Sequence, residues 1–105
     1  MVIENETIRR TIVNYVDDVK NAMKIDRVFL FGSYAKGNAD KNSDIDICFF
    51  SSSFENKNLM DVVKLLFRMM RKYGEYDIQP TAFTMSDIEN NNPFVKEILR
   101  TGIEL

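Results

Sequence analysis

The sequence contains no histidine, no tryptophan and one cysteine in 105 residues. Without histidine, zinc hydrolase chemistry, Ser-His-Asp triads and Cys-His nucleophiles are all excluded. Any catalysis must use carboxylates, hydroxyls, lysines or a metal held by oxygen. The lone Cys48 has no partner for an internal disulfide, and a leftover reduced thiol is ordinary in the cytosol. No apolar run approaches bilayer length, and the start of the chain lacks the charged residues and apolar stretch of a signal peptide, so a cytoplasmic location is expected. Basic excess is also missing: a net charge of −2 and a pI near 5.1 count against nucleic acid as a direct partner, since extended DNA or RNA binding needs a basic footprint. Repeats, low-complexity tracts and Pro/Gly-rich linkers do not occur, so residues 1–105 read as one domain.

What is present is a 45% hydrophobic fraction, enough for a core in a small and only modestly stable domain. Ile8, Ile12, Tyr15, Val16, Val19 and Met23 recur at helical spacing, which predicts a first helix from about Glu6 to Met23. The unbroken run Arg27–Phe31 stops at Gly32 and reads as a strand covered on both faces. Ser33 to Lys36 is a short helical turn, with Ser33 expected as its N-cap and Gly37 as its stop. A polar loop follows to Ser43. From Asp44 to Phe50, alternation puts Asp44, Asp46, Cys48 and Phe50 on one strand face and Ile45, Ile47 and Phe49 on the other.

A second helix spans Asn58–Tyr73 and ends at Gly74. Glu75 to Thr84 reads as a third strand, with Asp77, Gln79, Thr81 and Phe83 on a common face. Pro80 marks it as an edge strand or a bulge, because proline lacks a backbone donor. Ser86 and Glu89 fit a capping box for a short helix. Asn92-Pro93 opens a last helix running to about Arg100, which Gly102 ends. This order predicts an α/β (α+β) fold with a small mixed sheet flanked by helices.

The chemistry concentrates in Phe31 to Phe50, "FGSYAKGNADKNSDIDICFF". Gly32 allows a ligand close to the backbone, and Ser33 at a helix start suits a phosphate. Lys36 lies near enough in sequence to add a positive charge. Asp44 and Asp46 stand about 6.6 Å apart on one strand face. If their carboxylates converge to about 5 Å, they repel by about 3 kcal/mol at an effective dielectric near 20. Asp77, from a neighbouring strand, would add to that repulsion. A divalent cation reverses its sign, and an all-oxygen ligand set beside a phosphate site favours Mg²⁺. In a two-ion arrangement, Asp44, Asp46 and Asp77 are the metal ligands and Asp77 is also the candidate general base.

The Gly-Ser turn, ten-residue gap and Asp-x-Asp strand resemble the signature of the DNA polymerase β nucleotidyltransferase superfamily. The stretch is most similar to its minimal nucleotidyltransferases, whose pattern is matched by Gly32, Ser33, Ala35, Gly37, Ser43, Asp44, Ile45 and Asp46. Asp77 in "YDIQPTAFT" stands for the third carboxylate, and "NPFVKEILRTGIEL" resembles the family's closing helix. Lys36 replaces the arginine of many relatives, keeping the charge but losing bidentate phosphate contact.

The resemblance implies a nucleotidyltransferase fold and a nucleoside triphosphate, ATP, as donor of AMP. It implies phosphate contacts from Gly32, Ser33, Lys36 and Ser43. The acceptor it suggests is a tyrosine of a helical HEPN toxin, which would make this chain the antitoxin. A chain this short is expected to find its acceptor platform in a second copy or another protein. Two alternatives stay open: adenylylation of a small molecule such as an aminoglycoside, and neutralisation of a toxin by contact alone.

Overall fold

A computed structural model describes residues 3–40 and 42–105. The helical stripe folds as α1, Glu6–Ala22, with the Asn5 side chain accepting the Ile8 N–H and Ile12, Tyr15, Val16 and Val19 buried. Four strands follow the apolar runs: β1 Arg27–Phe31, β2 Ile45–Phe50, β3 Ile78–Phe83 and β4 Ile103–Glu104. They lie in the order β3-β2-β1-β4, with β2–β3 parallel and both β1–β2 and β1–β4 antiparallel. The expected mixed sheet is therefore present, with one strand more than the sequence indicated. At two residues, β4 is too short to show alternation.

A parallel pair cannot be joined by a tight turn. The crossover from β2 to β3 is supplied by α3, Leu59–Met69, which tightens into a 3₁₀ turn over Met70–Tyr73. Gly74 then ends the segment in right-handed rather than left-handed geometry, because the tightening has already closed the helix. Pro80 sits on an edge strand, as its missing donor requires.

Two caps differ from expectation. Ser33 is the first residue of α2, Ser33–Lys36, and Gly32 is its N-cap. The capping box of α4, Met85–Glu89, is made by Thr84 and Asp87, not Ser86 and Glu89. Ser86 instead donates its hydroxyl to Glu55 Oε1 at 2.7 Å. The last helix, α5, runs Pro93–Thr101, and the Asn92 side chain accepts from the Phe94 and Val95 N–H groups.

The sheet divides the core. On one side Val28, Leu30, Ile45, Ile47, Phe49 and Ile78 pack against α1 and α3. There Tyr15 donates its hydroxyl to the Leu66 carbonyl at 2.9 Å, and burial pushes its pKa above the ordinary range. On the other side Phe29, Cys48 and Phe50 meet Val95 and Ile98 of α5.

Candidate active site

β1 ends at Phe31, which pairs across the antiparallel ladder with Asp46. Gly32, the next residue, has φ 72° and ψ −150°, a conformation open mainly to glycine. A Cβ at this position would collide with Asp46 Oδ2. The carboxylate thus occupies the space that a side chain would take, so glycine is required twice over, by backbone angle and by approach. Because Gly32 caps α2 without a side chain, the first N–H groups of that turn receive no capping acceptor from it.

Asp44 and Asp77 lie one residue before β2 and β3, where the parallel register sets the two strand starts side by side. The Ile45 N–H donates to the Asp77 carbonyl at 2.8 Å and fixes that alignment. The side chain of Asp77 beside it, and then the Asp77 charge, raise the pKa of Asp44 above the ordinary carboxylate range. For Asp46 the rise comes first from burial, then from the charges of Asp44 and Asp77. Asp77 Oδ1 also accepts from Gln79 Nε2.

All three carboxylates lie at one end of the sheet, near enough for the charges of Asp44 and Asp77 to act on Asp46. Among the described residues, no group of three or more Asp, Glu or Cys side chains is arranged so that it could hold a metal ion. The donor chemistry nevertheless fits Mg²⁺. These are hard oxygens with nearby negative charge, and a dication would relieve the repulsion that raises the pKa values of Asp44 and Asp46.

The remaining predicted residues divide. Ser33 is partly exposed at the start of α2, beside Gly32. Lys36 is exposed in the last turn of α2, and among the described residues no carboxylate forms an ion pair with it. Ser43 is committed to its own loop. Its hydroxyl accepts the Asp40 N–H at 2.9 Å, and its N–H donates to the Asp40 carbonyl at 3.1 Å. That shapes the approach to Asp44 and leaves no obvious spare donor for phosphate. Cys48 is fully buried and its thiol pKa is pushed up to about 12 by burial, which removes it from nucleophilic chemistry.

The sequence did not reveal an open cleft of about 880 Å³ that reaches Asp77 from the α1 side, with Ile8, Tyr34, Ile45 and Tyr76 among its walls. Nor did it assign a role to Gln79, although alternation from Asp77 placed both on one face.

The site thus joins a Gly-capped turn set against Asp46 to two further carboxylates at the strand starts of a mixed sheet. The sequence profile of the nucleotidyltransferase domain family, part of the DNA polymerase β superfamily, matches residues 11–103, and the chain belongs to that family. It is 31% identical over 83 residues to a Methanocaldococcus jannaschii protein provisionally named a protein adenylyltransferase, covering 78% of this chain and 80% of that one. A crystal structure from Sulfolobus solfataricus, provisionally described as a nucleotidyltransferase, shares the fold. Its TM-score is 0.69 at 18% identity, over 90% of this chain and 76% of the other.

Proposed function

We propose that the protein transfers AMP from ATP to a hydroxyl group of a protein, with a tyrosine of a HEPN-type helical partner as the leading acceptor. The observation that carries this reading is the pair Asp44 and Asp77 at adjacent strand starts beside an Asp46 seated against Gly32. Such a cluster opposes folding and has no packing purpose, but it suits a cationic metal and a phosphorus centre gaining negative charge. The family supports nucleotidyl transfer, and the name of the Methanocaldococcus relative supports a protein as acceptor.

Asp44, Asp46 and Asp77 are the residues that would hold Mg²⁺. When bound there, Mg²⁺ would supply charge neutralisation at the triphosphate and a lowered pKa for the acceptor hydroxyl. Gly32 and Ser33 receive the phosphates at the start of α2, with Lys36 adding charge. Asp77 takes the proton from the acceptor hydroxyl, for which the cleft on the α1 side offers room beside it. The acceptor oxygen bonds to the α-phosphorus, the bond from that phosphorus to the bridging oxygen breaks, and pyrophosphate leaves. Alignment of the two reactants contributes the remainder.

Calorimetric titration of the chain with a non-hydrolysable ATP analogue tests the nucleotide site. Binding is expected with Mg²⁺, and is expected to be lost without it or in Asp44→Asn/Asp46→Asn. With a HEPN partner present, label from α-phosphate-labelled ATP should pass to the partner at least about 100-fold faster with the native chain than with that variant. Absence of nucleotide binding with or without the partner would refute the reading.

A further inference from the structure

Most large apolar side chains left exposed on the described surface stand away from the carboxylates. Met60, Leu65 and Phe67 belong to α3, which packs on the opposite side of the sheet, and Val13 lies on α1. Phe94 differs. It is 50% exposed, in the first turn of α5, on the sheet face that carries Asp46.

Its ring is held by two others. The centroid is 5.9 Å from Phe31 in an edge-to-face arrangement at 88°, and 5.8 Å from Phe83 at 42°. Phe31 belongs to β1 and Phe83 to β3, the two strands flanking β2, so the Phe94 ring spans β2. Phe31 is also the cross-strand partner of Asp46 and the neighbour of Gly32. The aromatic surface therefore begins one residue pair from the proposed phosphate site.

Aromatic pairing fixes the ring while leaving half of the residue in water. A fixed, wetted aromatic costs hydration free energy that a stacked heterocycle would recover. The Asn92 cap holds this first turn, with its side chain accepting from the N–H of Phe94 itself at 2.9 Å.

We infer that Phe94, backed by Phe31 and Phe83, is the stacking platform for the base of the donor nucleotide. The inference rests on the proposed nucleotide donor and adds where its base lies. Stacking uses a π-face that every base has, so the platform gives affinity with little discrimination among bases. ATP, GTP, CTP and UTP should all draw on it.

The test compares two ligands on the full chain by calorimetry with Mg²⁺: a non-hydrolysable ATP analogue and inorganic tripolyphosphate, which has no base. Phe94→Ala should weaken the nucleotide analogue about tenfold, as loss of one stacked base does, and leave tripolyphosphate unchanged. Phe94→Tyr should restore nucleotide affinity. Equal loss for both ligands would show a structural role and overturn the inference. Unchanged nucleotide affinity with slower transfer to the protein acceptor would assign Phe94 to the acceptor and overturn it as well. A native chain that binds tripolyphosphate and the analogue equally well would leave the base without a platform. A native chain that binds neither ligand, alone or with a HEPN partner, would defeat the donor reading itself and this inference with it.

Discussion

The two faces of the sheet are made from the same strands yet treat charge in opposite ways. Toward α1 and α3 the strands present Val28, Leu30, Ile45, Ile47, Phe49, Ile78 and Ala82, with no titratable group among them. Toward α5 they present Asp46, with Asp44 and Asp77 just beyond the strand starts, followed by Cys48, Phe50 and the phenylalanines. Period-two alternation alone separates them, since a neighbouring residue on the strand points the other way. The first face can hold the fold together while the second accommodates repulsion that no folding requirement explains. Substitutions should therefore act on stability from one side and on chemistry from the other.

Phe49→Ala is the strongest test of that division. Phe49 is fully buried and meets Tyr15 edge to face at 5.9 Å. Its removal should cost about 3–5 kcal/mol in denaturant unfolding, a large share of the total stability of a domain this size. A loss below about 1 kcal/mol would mean that the covered face does not dominate stability. Next in size is Asn92→Ala, which removes the acceptor for two N–H groups of α5 and should cost about 1 kcal/mol. Because that helix start carries Phe94, nucleotide affinity should fall with it, more than it does for tripolyphosphate.

The smallest effect has the opposite sign. Asp46→Asn should raise the melting temperature slightly at neutral pH while abolishing transfer. The pKa values of Asp44 and Asp46 are raised by folding, so the folded chain binds protons that the unfolded chain has already released. Their ionisation opposes folding at neutral pH, and this penalty disappears as pH falls through the raised values toward the ordinary carboxylate value. The advantage of Asp46→Asn over the native chain should therefore shrink on acidification. Asp18, Asp26 and Glu104 have lowered values and lose stability in acid, but they do so in both proteins and cancel in the comparison. An advantage that grows in acid would contradict the assigned directions.

Much of this contrast was legible in the sequence because it is local. Alternation from Asp44 to Phe50 sorted each residue to the side it occupies, and Asn92-Pro93 identified a helix start by proline geometry alone. Pro80 marked an edge strand for the same reason. What escaped was relational. Gly32 is the cap in place of Ser33, and it must be glycine because Asp46, fourteen residues later, occupies the space beside it. β4 exists because Ile103 and Glu104 meet β1, and Arg27 holds Glu104 with two hydrogen bonds of 2.8 and 2.9 Å. Ser43 matched a motif, yet its hydroxyl turned out to serve the loop. Phe94 carried no signal of its own, because the rings that hold it, Phe31 and Phe83, come from two different strands.

The edges of the sheet limit how the protein can associate. The Ile45 N–H bonds to the Asp77 carbonyl and the Ser51 N–H to that of Phe83, so the odd-numbered residues of β3 face β2. Pro80 therefore turns its nitrogen outward and leaves a gap in the row of donors that an added strand would need. The opposite edge, β4, offers two residues. Short or interrupted edges are poor templates for further strands. Any protein partner is therefore directed to helices, loops or the carboxylate face, and growth into a continuous intermolecular sheet is disfavoured at both ends.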